Sequence, residues 1–221
     1  NNQVRVFTYG NYAKGDIENL ANKITDMMPD DRSVEEYTRD KVWKPVSGQT
    51  LVYKEDTNVE DVGMLDLYVH PEPGFKQKAA ARILYSHYRR TAFNILRTEE
   101  QLAYAVGARR SSLDEYVTFG LYIQTPVMSV VETQERFDKF NKNYVKELNK
   151  ITEDEFQKLK SSTLTTLKEK PKNLAEEVSP LISDWYRENF DFDSQQKLID
   201  AAEKITLEDL KAFFMNSVGN K

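Results

Sequence analysis

The stretch LRTEEQLAYAV, Leu96 to Val106, decides how this chain is read. It closes a long helical pattern and opens a strand pattern. The join carries Arg97, Glu99, Glu100, Gln101 and Tyr104, and no Gly, Pro or Asn, the residues that usually build a connection. A join this polar needs a reason beyond turn formation.

Upstream, Ala80, Leu84, Tyr88, Ala92 and Ile95 trace one apolar stripe, which predicts a helix from about Lys76 to about Arg97. Downstream, Leu102 to Ala108 and Tyr116 to Gln124 read as strands joined through Arg109 to Glu115. Three more strands are expected. Gln3 to Tyr9 alternates, Gln49 to Glu55 is rich in Leu51, Val52 and Tyr53, and Val62 to Val69 follows after a polar stretch that would make a hairpin. Ile17 to Met28 is a helix ended by Pro29, and Asp30 to Gly48 is a polar connection.

Beyond the last strand the pattern is nearly all helix. Phe137, Phe140, Tyr144 and Leu148 mark one helix. Thr152 and Glu155 form a capping box for the next. Pro171 interrupts the pattern, and Pro180 falls inside the helix that begins at Leu174 and runs to about Asn189. Asp193 can cap a further helix, and Thr206 the last. The expected fold is α+β, a single domain over residues 1–221 with two layers. One antiparallel or mixed sheet of about five strands is covered by helices, and the C-terminal part is helical.

Composition excludes several classes. A net charge of −5, with lysines and arginines spread along the chain, argues against nucleic acid as a partner. No apolar run reaches the length of a membrane span. There is no cysteine, so disulfides and thiolate metal sites are excluded. The chain starts Asn1-Asn2-Gln3 and stops at Gly219-Asn220-Lys221, directly after a helix. It is therefore expected to be a piece of a longer polypeptide.

The usual catalytic patterns are missing. Only two histidines occur, His70 and His87, and neither sits in HExxH or HxxEH. Both are expected to be structural or solvated. There is no GxSxG and no phosphate-cradling glycine pattern. Gly107-Ala108-Arg109-Arg110 could attract an anion, although two arginines at a hairpin are usually a solvated turn. Glu99-Glu100 at a helix C-terminus opposes the helix dipole, a hint that something besides helix stability placed them. Arg97 reads blandly as a helix C-terminal cation and Tyr104 as a strand aromatic.

LRTEEQLAYAV resembles the C-terminal-half signature of the pitrilysin/insulysin family of zinc metallopeptidases, which reads close to L-R-T-x-E-Q-L-G-Y-x-V. YGNYAKGDIENLA, EKPKNLAEEVSPL and FDFDSQQKLIDAAEKITLEDLKAFF resemble other stretches of that family, in order. The resemblance runs from about Val4 to the end and is nearest the bacterial pitrilysin branch. It implies the metallopeptidase LuxS/MPP-like fold, and the fourth, non-catalytic domain of a four-domain zinc endopeptidase. The zinc and its HxxEH would lie outside this chain. The N-terminal catalytic half would be the partner within the same polypeptide, peptides the substrates, and the periplasm the compartment. A homodimer is allowed.

The same resemblance implies that Arg97 and Tyr104 reach across a chamber and hydrogen-bond the substrate backbone. A guanidinium and a neutral phenol are suited to hold peptide carbonyls and developing oxyanion charge. One departure stands out: Ala103 replaces the family's usual Gly, which puts the geometry of the neighbouring Tyr104 in question. Two other readings stay open: a structural or binding module in a relative without peptidase activity, and an unrelated α+β domain with a chance motif.

Overall fold

Tyr88 shows why the first long helix forms and where the core lies. It sits on α2 (Phe75–Ala92) with Ala80, Leu84 and Ala92, and all four are buried. Its ring packs 4.8 Å from Phe119, 4.8 Å from Tyr144, 5.6 Å from Phe140 and 5.8 Å from Phe214. One side chain thus joins a strand and three helices. Such aromatic contacts contribute beyond the area they bury.

The structure is a computed structural model that describes residues 4–28, 42, 46 and 48–219. The chain divides into two compact units, Val42–Glu169 with Gln195–Lys221, and Asn1–Lys41 with Lys170–Ser194.

The larger unit holds a three-stranded antiparallel sheet of β1 (Val62–Val69), β2 (Ala105–Leu113) and β3 (Tyr116–Thr125), in the order β1-β3-β2. Val117, Phe119, Leu121 and Ile123 alternate on the buried face of β3. That face meets α2, α3 (Val130–Lys150) and α7 (Leu207–Phe214), with α4 (Glu153–Lys168) against α2. On the other face Leu65 and Tyr122 are exposed. At Gly120 a Cβ would lie 1.9 Å from the Asp66 carbonyl oxygen, so only glycine fits there.

The Thr152 and Thr206 caps expected from sequence form. Each hydroxyl accepts from the amide three residues on, at 3.3 Å and 3.1 Å. His70 is buried and stacks on Phe213 at 5.2 Å, and its Nδ1 accepts from the Glu72 amide at 3.1 Å. His87 Nδ1 is 2.7 Å from the Tyr144 hydroxyl. Both histidines are structural.

The smaller unit contains α1 (Lys14–Met27) and α5 (Leu174–Tyr186), the latter with Pro180 inside it and ending before Asn189. It also takes in Ser194, the first residue of α6 (Ser194–Lys204). The Ser194 amide donates to the buried Asp184 Oδ2 at 3.1 Å.

Five strands were expected and three form among the described residues. Residues 4–9 take no regular secondary structure, and no strand pairs with them. Phe7 packs on Trp185 at 6.2 Å and Phe192 at 5.9 Å, Arg5 pairs with Glu188, and Tyr9 donates to Glu177 at 2.5 Å. The contacts of this segment go to α5 and to the residues just after it rather than to a sheet. Leu51, Val52 and Tyr53 are 71%, 65% and 83% exposed, so that segment buries neither face and forms no hairpin with β1. All pairings are antiparallel. The expected connection over residues 30–48 lies mostly outside the described residues.

Candidate functional site

The helix that carries Arg97 changes character before it ends. After Ala92 the chain winds as a π-helix, Phe93–Glu99, anchored by the fully buried Leu96. The Glu100 amide reaches back five residues to the Ile95 carbonyl at 3.0 Å, and the Leu102 amide reaches Leu96 at 3.0 Å. Short π segments are rare and recur at functional sites.

The next turn is also special. Gln101 holds φ 53°, the left-handed region that a non-glycine residue seldom occupies. That single residue replaces the Gly or Asn whose absence made the join unusual. The chain is then tied to the sheet. Thr125 Oγ1 donates to the Leu102 carbonyl at 2.5 Å, and the Tyr104 amide donates to the Gln124 carbonyl at 3.1 Å. Tyr104 therefore precedes β2, which begins at Ala105 rather than Leu102. Ala103 is buried and leaves Tyr104 67% exposed.

These constraints bring Arg97 and Tyr104 to one cavity of about 580 Å³, lined also by Phe93, Thr98, Gln101, Ala103 and Pro126. Among the described residues no carboxylate pairs with Arg97, and no group accepts from the Tyr104 hydroxyl. Glu100 is different. Its carboxylate is held by Arg136 of α3, which explains its place at the helix end.

Phe93, Thr98 and Pro126 were not singled out in the sequence, and Gln101 was named only as part of the polar join. Phe93 carried a signal: it falls off the buried stripe of α2, and it is 47% exposed. Arg109 and Arg110 do not sit in a turn as expected. Both lie within β2, and the turn is Asp114-Glu115, with Asp114 at φ 54°. The Ser111 and Thr118 hydroxyls, 2.6 Å apart, join the strands where apolar alternation is absent.

No group of three His, Cys, Asp or Glu among the described residues could hold a metal ion. No described helix is long and apolar enough to cross a membrane.

The elements define an α+β domain with a three-stranded antiparallel sheet covered by helices. The family described as "PQQ synthase PqqF-like, C-terminal lobe domain 4" matches residues 83–182. "Protease 3" of Escherichia coli (strain K12) is 27% identical over 210 residues, covering 95% of this chain and 22% of that protein. The crystal structure of pitrilysin superposes with a TM-score of 0.82 at 26% identity, over 96% of this chain and 22% of that one. The periplasmic protease PqqL from Escherichia coli shares the fold, with a TM-score of 0.65 at 15% identity over 95% of this chain and 23% of its own. Together these matches support a pitrilysin-like C-terminal domain. It spans about 22% of the length of the first relatives it matches.

Proposed function

We propose that this chain is the fourth, non-catalytic domain of a zinc metalloendopeptidase, where it forms part of the wall of the substrate chamber. Arg97 and Tyr104 hold the backbone of a peptide substrate. One observation carries this reading: an arginine and a tyrosine with no partner among the described residues line the same cavity. The π segment and the left-handed Gln101 fix both at the ends of regular elements, which favours precise placement.

Among the described residues no group of His, Asp or Glu fits a zinc site. In this reading zinc is bound in the N-terminal half of the same polypeptide. When bound there, it would polarise the scissile carbonyl and activate water. This chain's part is to bind and orient. The Arg97 guanidinium offers several N–H donors in a fixed fork, and the Tyr104 hydroxyl one O–H donor. Backbone carbonyls are common to all peptides, so such contacts suit broad specificity. The likeness to the periplasmic protease PqqL supports a periplasmic setting, and a homodimer fits equally with this role.

The test is cleavage of a quenched fluorescent peptide by the full-length parent and its Arg97→Ala and Tyr104→Phe variants. Chelator-sensitive cleavage is expected. Each variant should lose about tenfold to a thousandfold in turnover, the scale of one transition-state hydrogen bond. Folded variants that match wild type would remove Arg97 and Tyr104 from the reaction. A parent that never cuts, even with added zinc, would make the domain a structural module.

A further inference from the structure

Arg82 of α2 and Arg110 of β2 are two half-buried cations that the described chain leaves without a counterion. The Arg110 guanidinium lies over the Tyr85 ring, its carbon 5.9 Å from the centroid. The Tyr85 hydroxyl donates to the Ala108 carbonyl at 3.3 Å, which fixes the ring against β2. Arg110 Nε is buried and has no hydrogen-bond partner. Among the described residues, no carboxylate forms an ion pair with either arginine. Burial depresses the pKa of both guanidinium groups, and Arg82 depresses that of Arg110 further by repulsion.

Such an arrangement is unfavourable as it stands. A cation withdrawn from water needs a partner, and a second cation nearby adds to the cost. Arg82 also belongs to a basic stripe, since Lys78, Arg82 and Arg89 share one face of α2 at spacings of four and seven. The chain as a whole is acidic, with a net charge of −5, so this concentration of positive charge is local.

Arg110 stands on a strand that is also incomplete. β3 occupies one side of β2, and the described residues put no strand on the other. An open edge presents unpaired N–H and C=O groups to any extended segment of suitable chemistry. The two features need complementary things: an extended backbone for the edge, and a carboxylate for the arginines. One acidic segment can supply both, because a carboxylate has two oxygens and can accept from two guanidinium groups.

We propose that the outer edge of β2 receives an extended acidic segment of the parent polypeptide, from outside this chain, and that one of its carboxylates bridges Arg82 and Arg110. The source follows from length, since the chain spans 22% of its matched relatives and most of such a polypeptide lies elsewhere. This rests on the reading of the chain as one domain of a longer protein. It does not depend on peptidase activity.

The test is hydrogen exchange by mass spectrometry on the full-length parent. In wild type, residues 105–113 should be protected to a degree approaching residues 116–125. The double substitution Arg82→Glu/Arg110→Glu should speed exchange over residues 105–113 by about tenfold or more, the change expected when an edge is uncovered. Residues 116–125 should stay protected in that variant, which establishes that the domain is folded. If charge reversal unfolds the domain, Arg110→Lys gives a second readout. The amine at position 110 should form a zero-length carbodiimide crosslink to an Asp or Glu outside this chain, mapped by mass spectrometry. Rapid exchange over residues 105–113 in wild type would overturn the proposal. So would protection that ignores charge reversal, protection that appears only on adding inorganic phosphate, or a crosslink confined to this chain. Peptide cleavage plays no part in these readouts, so they fail independently of the role given to Arg97 and Tyr104.

Discussion

Arg136 holds Glu100 by two hydrogen bonds, Nε to Oε2 at 2.7 Å and Nη2 to Oε1 at 2.5 Å. The pair ties the end of the π segment to α3. Its partners are unequally placed, the Arg136 side chain being 15% exposed and that of Glu100 37%. Removing each should therefore have a different effect. Glu100→Ala strands a largely buried guanidinium and should cost about 1–2 kcal/mol after allowance for solvent screening. Arg136→Met keeps the packing and lets Glu100 turn to water, so it should cost about 1 kcal/mol or less. Urea denaturation of both variants and the double variant checks this. Equal losses would mean that the pair is not the clamp described.

The two tightly packed sheet glycines should separate just as clearly. At Gly120 a Cβ would meet backbone, the Asp66 carbonyl, at 1.9 Å. At Gly107 it would meet the Tyr122 ring at 3.0 Å, and that ring can swing aside. Gly120→Ala should cost about 3 kcal/mol or more, or prevent folding, because the ladder itself must part. Gly107→Ala should cost about 1 kcal/mol. Thermal melts that rank them the other way would contradict the register of β1 against β3.

Tyr88 offers a test of the polar thread within the core. Its hydroxyl donates to Asn141 Oδ1 at 2.5 Å, and Tyr68 donates to Asp66 at 2.8 Å alongside. Tyr88→Phe keeps the ring and leaves a buried acceptor unsatisfied, a loss of about 1–2 kcal/mol. Tyr88→Ala also opens a cavity and should cost about 3–5 kcal/mol. Pairing Tyr88→Phe with Asn141→Leu should recover part of the first loss, as a denaturation midpoint would show.

Acid should weaken the domain through its histidines. Burial lowers the pKa of both His70 and His87. The unfolded chain then takes up protons first, starting near its ordinary value of about 6.5. Their contribution is complete above that pH and is lost as pH falls through the folded-state values. Denaturation midpoints between pH 8 and pH 5 should fall with pH, and His87→Gln should flatten part of that slope. A midpoint that rises on acidification would show the histidines to be charged in the fold.

The sequence made the helices and the central hairpin legible because each rests on a local pattern. Ala80, Leu84, Tyr88 and Ala92 form a stripe, and Thr152 and Thr206 are followed by acidic residues at the capping position. It also brought Arg97 and Tyr104 forward, through the resemblance of one motif. The missing strands had a physical cause. Alternation at residues 4–9 does not name the partner of either face, and Phe7 packs on Trp185 and Phe192 instead of a neighbouring strand. The geometry of the site was hidden for another reason. No side-chain pattern announces a π turn or a left-handed Gln101. Both arise when Leu96, Ala103 and Thr125 fix the two sides of the join and the chain between them adapts.

The winding at Phe93–Glu99 has a consequence for how this site could be lost or re-aimed. A turn closed across five residues holds one more residue than an ordinary helical turn, so the heading of Arg97 is set by the number of residues in the chain. Deleting one would remove the extra residue that the wide turn accommodates and change the spacing around the helix axis of the side chains on either side of it. Every side chain that lines the cavity could survive unchanged while the guanidinium faced a new direction. Insertions and deletions are thus the mutations to which this corner is most sensitive, and a gap in this turn would carry more weight than many substitutions around it.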